Sequence, residues 1–397
     1  MRDALLGTPS VDFDIEVHRL APEKLEQLLR RVGRVSSVGK SFGILLMRIG
    51  DHQVDFALPR SEKKTGAGHR NFSVTTEPEM GFEIASSRRD FTINSMGLRL
   101  PSMELCDPHS GLKDLEERRL RHIGPAFGED PLRPLRGAQF AARFHLTIAP
   151  ETLELCSQQD LSELSPERID EEFRKLLLKP DTPSIGLLAI RQMELLRFFP
   201  ELNLPEGEFN TLCKLCDGAA RERVQLPSSA ESLLLMYTAL LLPLQAQKRI
   251  SLVERLTRDR KIIEKAPALA AAGETLLQLE PLSKRTPLAQ SERLPWVRRL
   301  SLAMSFPMAE ALLKAQLFAL EIPDEKGVAL LHNLAEEAGV LEEPPRPWVQ
   351  GRDLMQLGMK PSPQMGALVK ELFEQQLDGC FSSPEEAMEW ARKKIGK

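Results

Sequence analysis

Asp12 and Asp14 stand two apart in Val11-Asp12-Phe13-Asp14-Ile15-Glu16-Val17, where polar and apolar residues alternate as on a half-buried strand. Side chains at i and i+2 of a strand share one face, so the two carboxylates can converge on a divalent cation. Asp55 in Val54-Asp55-Phe56-Ala57-Leu58 faces opposite to Val54 and Phe56 and suits the third acid that a neighbouring strand would supply. The chemistry that fits is two-metal phosphoryl transfer with Mg2+. Carboxylate-held ions lower the pKa of an attacking hydroxyl, clamp a triphosphate and neutralise the leaving pyrophosphate. Taken alone, Asp-x-Asp more often marks a solvated turn or strand edge. Its weight here comes from Arg2-Asp3-Ala4-Leu5-Leu6-Gly7 just ahead, a basic-acidic helical turn with few other readings.

Two further constellations carry groups that a nucleotide needs. Arg88-Arg89-Asp90-Phe91-Thr92-Ile93-Asn94-Ser95 offers guanidinium forks suited to phosphate oxygens and a carboxylate that can accept from ribose hydroxyls; its bland alternative is an ion-paired turn. Gly128-Glu129-Asp130-Pro131-Leu132-Arg133-Pro134-Leu135-Arg136 enters a helix whose apolar side holds Phe140, Ala141 and Phe144. Spacing of three predicts Asp130, Arg133 and Arg136 on one helical face. A carboxylate acceptor beside a guanidinium donor matches cytosine and adenine, which both offer an exocyclic amine beside a ring acceptor. Uracil and guanine present the reverse and would leave buried charges unpaired. The bland alternative is an Asp-capped helix start with solvated arginines. Gly33 to Ser41 reads Gly-x5-Gly-Lys-Ser, one residue too long for a phosphate-binding loop and leading into a strand, so it is read as a loop with a surface lysine.

The elements that must position these groups follow from periodicity. Period-2 signal is concentrated between about 11 and 100, at Val11 to Val17, Phe42 to Ile49 and Val54 to Leu58, with Gly50-Asp51 as a turn. One helix interrupts it, with Pro22 in its first turn and Leu25, Leu28, Leu29 and Val32 on one face. After about 115 the helical period dominates, punctuated by Pro180, Pro200, Pro205, Pro281 and Pro344-Pro345-Arg346-Pro347. The predicted fold class is therefore an α+β head with a small mixed sheet, followed by an all-α remainder.

Composition fits that picture. The 397 residues, 42% hydrophobic and 28% charged, suit a globular protein of two to four domains, with no apolar run long enough for a membrane span and no signal pattern. A cytoplasmic location without membrane association is expected. Five cysteines form no disulfide framework, and Cys213-x-x-Cys216 lacks the second pair a zinc site needs. Net charge is −4, yet Lys248, Arg249, Arg255, Arg258, Arg260, Lys261 and Lys265, then Lys284, Arg285, Arg293, Arg298 and Arg299, form two basic runs. RNA backbone contact and plain solvated helix faces read equally well there.

Together, Arg2-Asp3, Asp12-x-Asp14, Arg88 to Ser95 and Glu129-Asp130-x-x-Arg133 resemble the class II tRNA nucleotidyltransferase/poly(A) polymerase family, bacterial type. The resemblance implies Asp12 and Asp14 as metal ligands with Asp55 catalytic beside them, and Arg2, Arg89, Asp90, Asp130, Arg133 and Arg136 around the nucleotide. Within that set Arg89 would take the phosphates, Asp90 the sugar and the Asp130/Arg133 pair the base, as a protein template for CTP and ATP. Asp107 to Leu115 resembles the connector behind the head, Ser165 to Glu172 the neck helix supporting the template, and Gly351 to Pro363 the tail segment lying along a tRNA acceptor arm. The implied domains are a nucleotidyltransferase head (1–125), a neck with the template (126–200), a helical body (201–340) and an RNA-binding tail (341–397). Ser95 stands where the family pattern has Ala, and Gln139 where Arg is frequent. With only His332 after His145, the ligand set of the phosphohydrolase domain found in some bacterial relatives is missing. The family pattern places a Gly-Gly turn ahead of Arg2, where this chain starts, so the resemblance implies an N-terminal truncation.

Three functional readings stay open at this level. One is CTP/ATP:tRNA nucleotidyltransfer at the acceptor end. The second is a poly(A) polymerase or an enzyme adding only C-C or only A, since the loop from Arg60 to Arg70 is not decisive. The third is an RNA-binding protein with an inactive head, motivated by the missing Gly-Gly. Retention of Asp12, Asp14, Arg89, Asp130 and Arg133 argues against the third.

Overall fold

Alternation builds the sheet of the head. The computed structural model describes residues 1–9, 12–38, 44–64, 72–279, 287–323 and 325–396, and within them not the side chains of 12, 37, 38, 62–64 and 72–74. After a single helical turn α1 (Arg2–Leu5), strands β1 (Asp12–Glu16), β2 (Val35–Val38), β3 (Ile44–Ile49) and β4 (His52–Ala57) lie in the order β1-β4-β3-β2. β1 runs parallel to β4, while β3 pairs antiparallel with both β4 and β2. Met47, Val54 and Phe56, with Ile15 and Leu45, form one face, which α2 (Pro22–Val32) covers through Leu25 and Leu29. The apolar stripe predicted for α2 is wider than the seam it makes: Leu28 and Val32 are 39% and 75% exposed. The Gly-Lys-Ser near miss runs from β2 into residues 39–41, which lie outside the described residues.

Six short strands escape the periodicity argument. β5 (Arg60–Lys64) pairs with β6 (Phe72–Thr76), β7 (Gly97–Arg99) with β8 (Glu104–Cys106), and β9 (Arg119–Leu120) with β10 (Thr147–Ile148). Segments of two to five residues, such as Arg-Ser-Glu-Lys-Lys, are too short or too polar to show alternation. The end of the Arg60 to Arg70 loop, from 65, lies outside the described residues.

Helices α3 (Phe82–Ser86), α4 (Thr92–Ser95), α5 (Gly111–Glu116), α6 (Arg133–Phe144), α7 (Pro150–Ser157), α8 (Pro166–Leu178) and α9 (Ser184–Gln192) follow. The Asp107 carboxylate accepts from the Gly111 and Leu112 amides (2.7 and 2.9 Å) and so starts α5. A Cβ on Gly111 would lie 2.2 Å from the Thr92 carbonyl oxygen, so only glycine lets α5 approach α4 this closely. Thr92 Oγ1 donates to buried Asp114 (2.8 Å), which Arg121 also reaches at 3.2 Å. Ser95, in place of the usual alanine, is buried and donates its hydroxyl to Thr92 O (2.7 Å), so the extra polar atom is satisfied.

By contacts the chain divides into two compact units, Met1–Glu172 with Ile185–Phe198, and Phe173–Ser184 with Phe199–Lys397. The second is helical: α10 (Glu206–Glu222), α11 (Ser229–Leu241), α12 (Ala246–Leu256), α13 (Arg260–Gly273), α14 (Gln290–Ala303), α15 (Phe306–Leu320), α16 (Glu325–Glu337), α17 (Gly351–Gln356), α18 (Pro363–Leu377) and α19 (Pro384–Ile395). Cys213 and Cys216 are buried on α10, where burial pushes the Cys216 thiol well above its usual range. Two residues of the first basic run, Arg249 and Arg255, are engaged inside this unit. Arg249, 3% exposed, donates to the carbonyls of Leu241 (3.1 Å) and Leu242 (2.8 Å) at the end of α11. Arg255 pairs with Glu201 (3.0 Å), and Arg174 with Asp259 (3.2 Å). Arg298 reaches Leu377 O, and Arg299 pairs with Glu374 and Asp378 on α18. Lys284 and Arg285 lie outside the described residues. Among the described residues no helix is long and apolar enough to cross a membrane.

Gly218 tests the tightest helix contact. A Cβ there would sit 2.8 Å from Ala315 Cα and 2.9 Å from its carbonyl oxygen. Gly→Ala inside a helix ordinarily gains about 1 kcal/mol, whereas forcing an extra methyl into packed backbone costs about 1–3 kcal/mol. Gly218→Ala is expected to lower the urea midpoint, while Gly207→Ala on the same helix, with nothing within 4 Å of its Cβ, raises or preserves it. Equal stabilisation of both would show that α10 and α15 are not in close contact.

Candidate functional site

Register brings the acids together. In the parallel β1–β4 pair, Asp12 lies opposite Gln53, Asp14 opposite Asp55 and Glu16 opposite Ala57. Positions 12, 14 and 16 share the face of β1 turned away from α2, and 53 and 55 continue it on β4. Asp14 is exposed and Asp55 half-buried, with Gln53 Nε2 donating to Asp55 Oδ1 at 3.3 Å. Two carboxylates directly opposite each other repel unless a cation joins them, and their oxygens are the donors a hard divalent ion takes. The donor set therefore fits Mg2+. Among the described residues no three His, Cys, Asp or Glu side chains form a metal-holding group; Asp12 keeps its register on this face, but its side chain lies outside the description.

Asp90 organises the neighbouring segment. It is 8% exposed. Its Oδ1 accepts from Phe91 N (2.8 Å) and Asn94 Nδ2 (2.9 Å), and its Oδ2 from Arg136 Nε (2.9 Å) and Nη2 (2.8 Å). Burial alone would lower the Arg136 guanidinium; the charge and hydrogen bond of Asp90 outweigh it and hold the cation above its usual value. With both oxygens engaged, the sugar contact that the resemblance implies for Asp90 would have to displace a donor. Arg89 donates to Asn94 O (3.0 Å) and lies 3.6 Å from Glu16. Arg2 donates to Asn94 Oδ1 and stands over the rings of Phe144 (4.3 Å) and Phe140 (5.0 Å). Burial draws the Arg2 guanidinium below its usual value, against the pull of Asp3.

The template segment differs from the expected single helical face. α6 begins at Arg133, so Asp130 precedes it in extended backbone, with φ −123°. Pro131, which disfavours helical backbone in the residue before it, accounts for the displacement. Asp130 accepts from Leu132 N (3.0 Å) and from Arg168 Nη2 (2.8 Å), while Arg136 turns to Asp90 and lies 3.9 Å from buried Glu172. Arg133 donates to the carbonyls of Ala126 (2.7 Å) and Arg88 (2.8 Å). Burial lowers its guanidinium, with Asp90 and Asp130 opposing. Thus Arg168 and Glu172 of α8 reach Asp130 and Arg136. Glu16, His18 and Asn94 escaped the sequence reading as site residues. For Glu16 the signal was the same alternation that singled out Asp12 and Asp14, extended by one step.

Removing one partner of the Asp90–Arg136 pair strands a charge. Losing half of a fully buried pair costs about 3–5 kcal/mol; with a third of Arg136 reached by water, Arg136→Met is expected to cost on the order of 2 kcal/mol. Asp90→Asn combined with Arg136→Met should recover part of that loss. A double variant whose urea midpoint shows the summed losses would remove the coupling.

Comparison with known proteins follows these lines. Residues 1–121 match the model of the Poly A polymerase head domain, and residues 145–204 that of the probable RNA and SrmB-binding site of polymerase A. The multifunctional CCA protein of Xylella fastidiosa (strain 9a5c) is 41% identical over 216 residues, 52% of this chain and 50% of the relative. The chain spans about half the length of the curated relatives it matches. Among solved structures, the Bacillus stearothermophilus CCA-adding enzyme in complex with CTP superposes with a TM-score of 0.70 at 20% identity, covering 99% of this chain and 91% of that one. The Thermotoga maritima CCA-adding enzyme complexed with tRNA-CCA gives 0.65 at 21% identity, covering 99% and 89%. At such identities the likeness to the solved structures is one of fold, and it runs from the α+β head through the helical remainder. Over its head and the segment behind it, the chain is similar to the Poly A polymerase head domain, to the polymerase A RNA-binding segment and to CCA proteins.

Proposed function

We propose that this chain is a template-independent RNA nucleotidyltransferase that adds CMP and AMP, from CTP and ATP, to the 3′ end of tRNA. The observation that carries the reading is a chain of adjoining contacts. Asp14 and Asp55 adjoin on β1 and β4, Glu16 two residues on meets Arg89, and Arg133 ties the start of α6 to Arg88 O. The relatives named as CCA proteins, and the solved neighbours with CTP and tRNA, favour this activity over poly(A) synthesis. In this reading residues 1–125 are the head, 126–200 the neck, 201–340 the body and 341–397 the RNA-binding tail.

Asp12 and Asp14 would hold Mg2+, with Asp55 alongside; when bound, the ion neutralises phosphate charge and favours ionisation of the RNA's terminal hydroxyl. Arg89, braced by Glu16 and Asn94, presents its remaining N–H groups to the triphosphate oxygens. Asp130 accepts from the exocyclic amine of cytosine or adenine. Arg133 donates to the adjacent ring nitrogen through N–H groups not held by Ala126 and Arg88. Asp90 keeps Arg136 and Asn94 in place beneath them.

The test uses purified protein, a tRNA lacking its C-C-A end and all four triphosphates. Asp14→Ala is expected to reduce CMP incorporation by several orders of magnitude while tRNA affinity stays within a fewfold, because the loss falls on transfer and not on RNA contact. Asp130→Ala should admit UTP and GTP, a relaxation of about 1–3 kcal/mol by analogy with bidentate base readout. Near-parental incorporation by Asp14→Ala would end the metal assignment, and undiminished selectivity in a folded Asp130→Ala would end the template.

A further inference from the structure

Glu16 is the third acid in register along the face of β1 that carries Asp12 and Asp14. His18 Nε2 lies 2.9 Å from Glu16 Oε1, and Arg89 Nη2 lies 3.6 Å from Glu16 Oε2. The other ring nitrogen, His18 Nδ1, lies 2.9 Å from Met80 O. The Met80 carbonyl and the Glu16 carboxylate can only accept, so between them the ring is the one group with hydrogen to offer. Glu16 Oε1 is buried and makes no hydrogen bond of good geometry, so the close approach of the His18 ring is its nearest polar contact on that side. The backbone fixes the ring's approach: Val17 N donates to Ala57 O (2.8 Å), and Arg19, at φ +57°, donates its N–H to Pro78 O (2.8 Å). On the far side Arg89 is steadied by Asn94 O (3.0 Å) and lies 5.7 Å from the Phe82 ring.

From this clasp we infer that His18 and Glu16 are positioning residues for Arg89, fixing its guanidinium for a nucleoside triphosphate and preventing Glu16 from joining the metal-facing acids. The inference rests on the reading of Arg89 as a phosphate contact. Without the His18 donor, Glu16 would carry a half-buried negative charge beside Arg89 and draw that cation away from the phosphates. Without Glu16, Arg89 would keep only its backbone tether. In this inference both residues act through Arg89 and not by contact with the nucleotide.

The experiment is equilibrium CTP binding with Mg2+, alongside CMP incorporation and melting temperature, for His18→Ala, Glu16→Gln, Arg89→Ala and the two doubles with Arg89→Ala. Each single change at 16 or 18 is expected to weaken CTP binding about fivefold, and to raise KM for CTP more than it lowers kcat. In the Arg89→Ala background each should change binding less than twofold. Additive losses in both doubles would overturn the clasp, as would unchanged CTP binding in folded His18→Ala and Glu16→Gln. Should His18→Ala unfold the head, the Glu16→Gln cycle decides alone. Coupling in a chain that incorporates no nucleotide would sink the proposed activity and leave the clasp standing, and a chain that binds no CTP would overturn both.

Discussion

A carboxylate withdrawn from water, Asp90, is the point around which the site's other groups are arranged. Removing such a charge from solvent costs several kcal/mol unless donors surround it, and here four N–H groups do so. Each donor brings an element with it. Phe91 N leads into the core of the head, where its ring meets Phe127 and Phe140 at 5.4 and 5.9 Å. Asn94 in turn receives Arg2 on its side chain and Arg89 on its carbonyl. Arg136 fastens α6. One buried charge therefore sets the relative positions of Arg89, the amino-terminal turn and α6.

The aromatic residues beside it have two duties. Phe91 and Phe127 are buried, while Phe140 and Phe144 also offer ring faces to Arg2, with Arg136 over Phe140 at 5.3 Å. A cation–π contact is worth about 0.5–2 kcal/mol, less than the cost of an unpaired desolvated charge, so stacking supplements the ion pairs and cannot replace them. It does explain why the cations are arginines: a planar guanidinium can lie on a ring and still direct its N–H groups sideways to a carboxylate or carbonyl, which a lysine ammonium cannot.

The sequence made the chemistry legible more readily than the geometry. Alternation around Asp12, Asp14 and Asp55 placed them on one face because strand period leaves no other choice, and β1 and β4 then put Asp14 opposite Asp55. Spacing failed at Asp130 because Pro131 keeps it out of α6, and helical periodicity has no meaning before a helix begins. It could not show that Arg249, Arg255 and Arg299 are engaged by their own unit, since a basic run looks alike whether its partners lie far along the chain or in solvent. The short strands β5 to β10 were invisible for a related reason: their pairing comes from the tertiary frame, not from a repeating pattern.

Charge order along β1 is where these constraints meet. A metal-bound triphosphate is itself bipolar, with a cation at one end of the approach and phosphate oxygens beyond it, and the surface that receives it has to match that order. Three acids in a row on one strand face would attract the ion but repel the phosphates. The arrangement avoids this by leaving Asp14 and Asp55 side by side and giving the next acid, Glu16, a histidine and an arginine as partners. In the proposed reading, the acids on one half of the face would take the metal, while Arg89 beside the other half would meet the phosphates. In that reading the separation would be built into strand register and side-chain contacts already in place, and polar groups held in place before charges arrive stabilise them more effectively than groups that must turn to meet them.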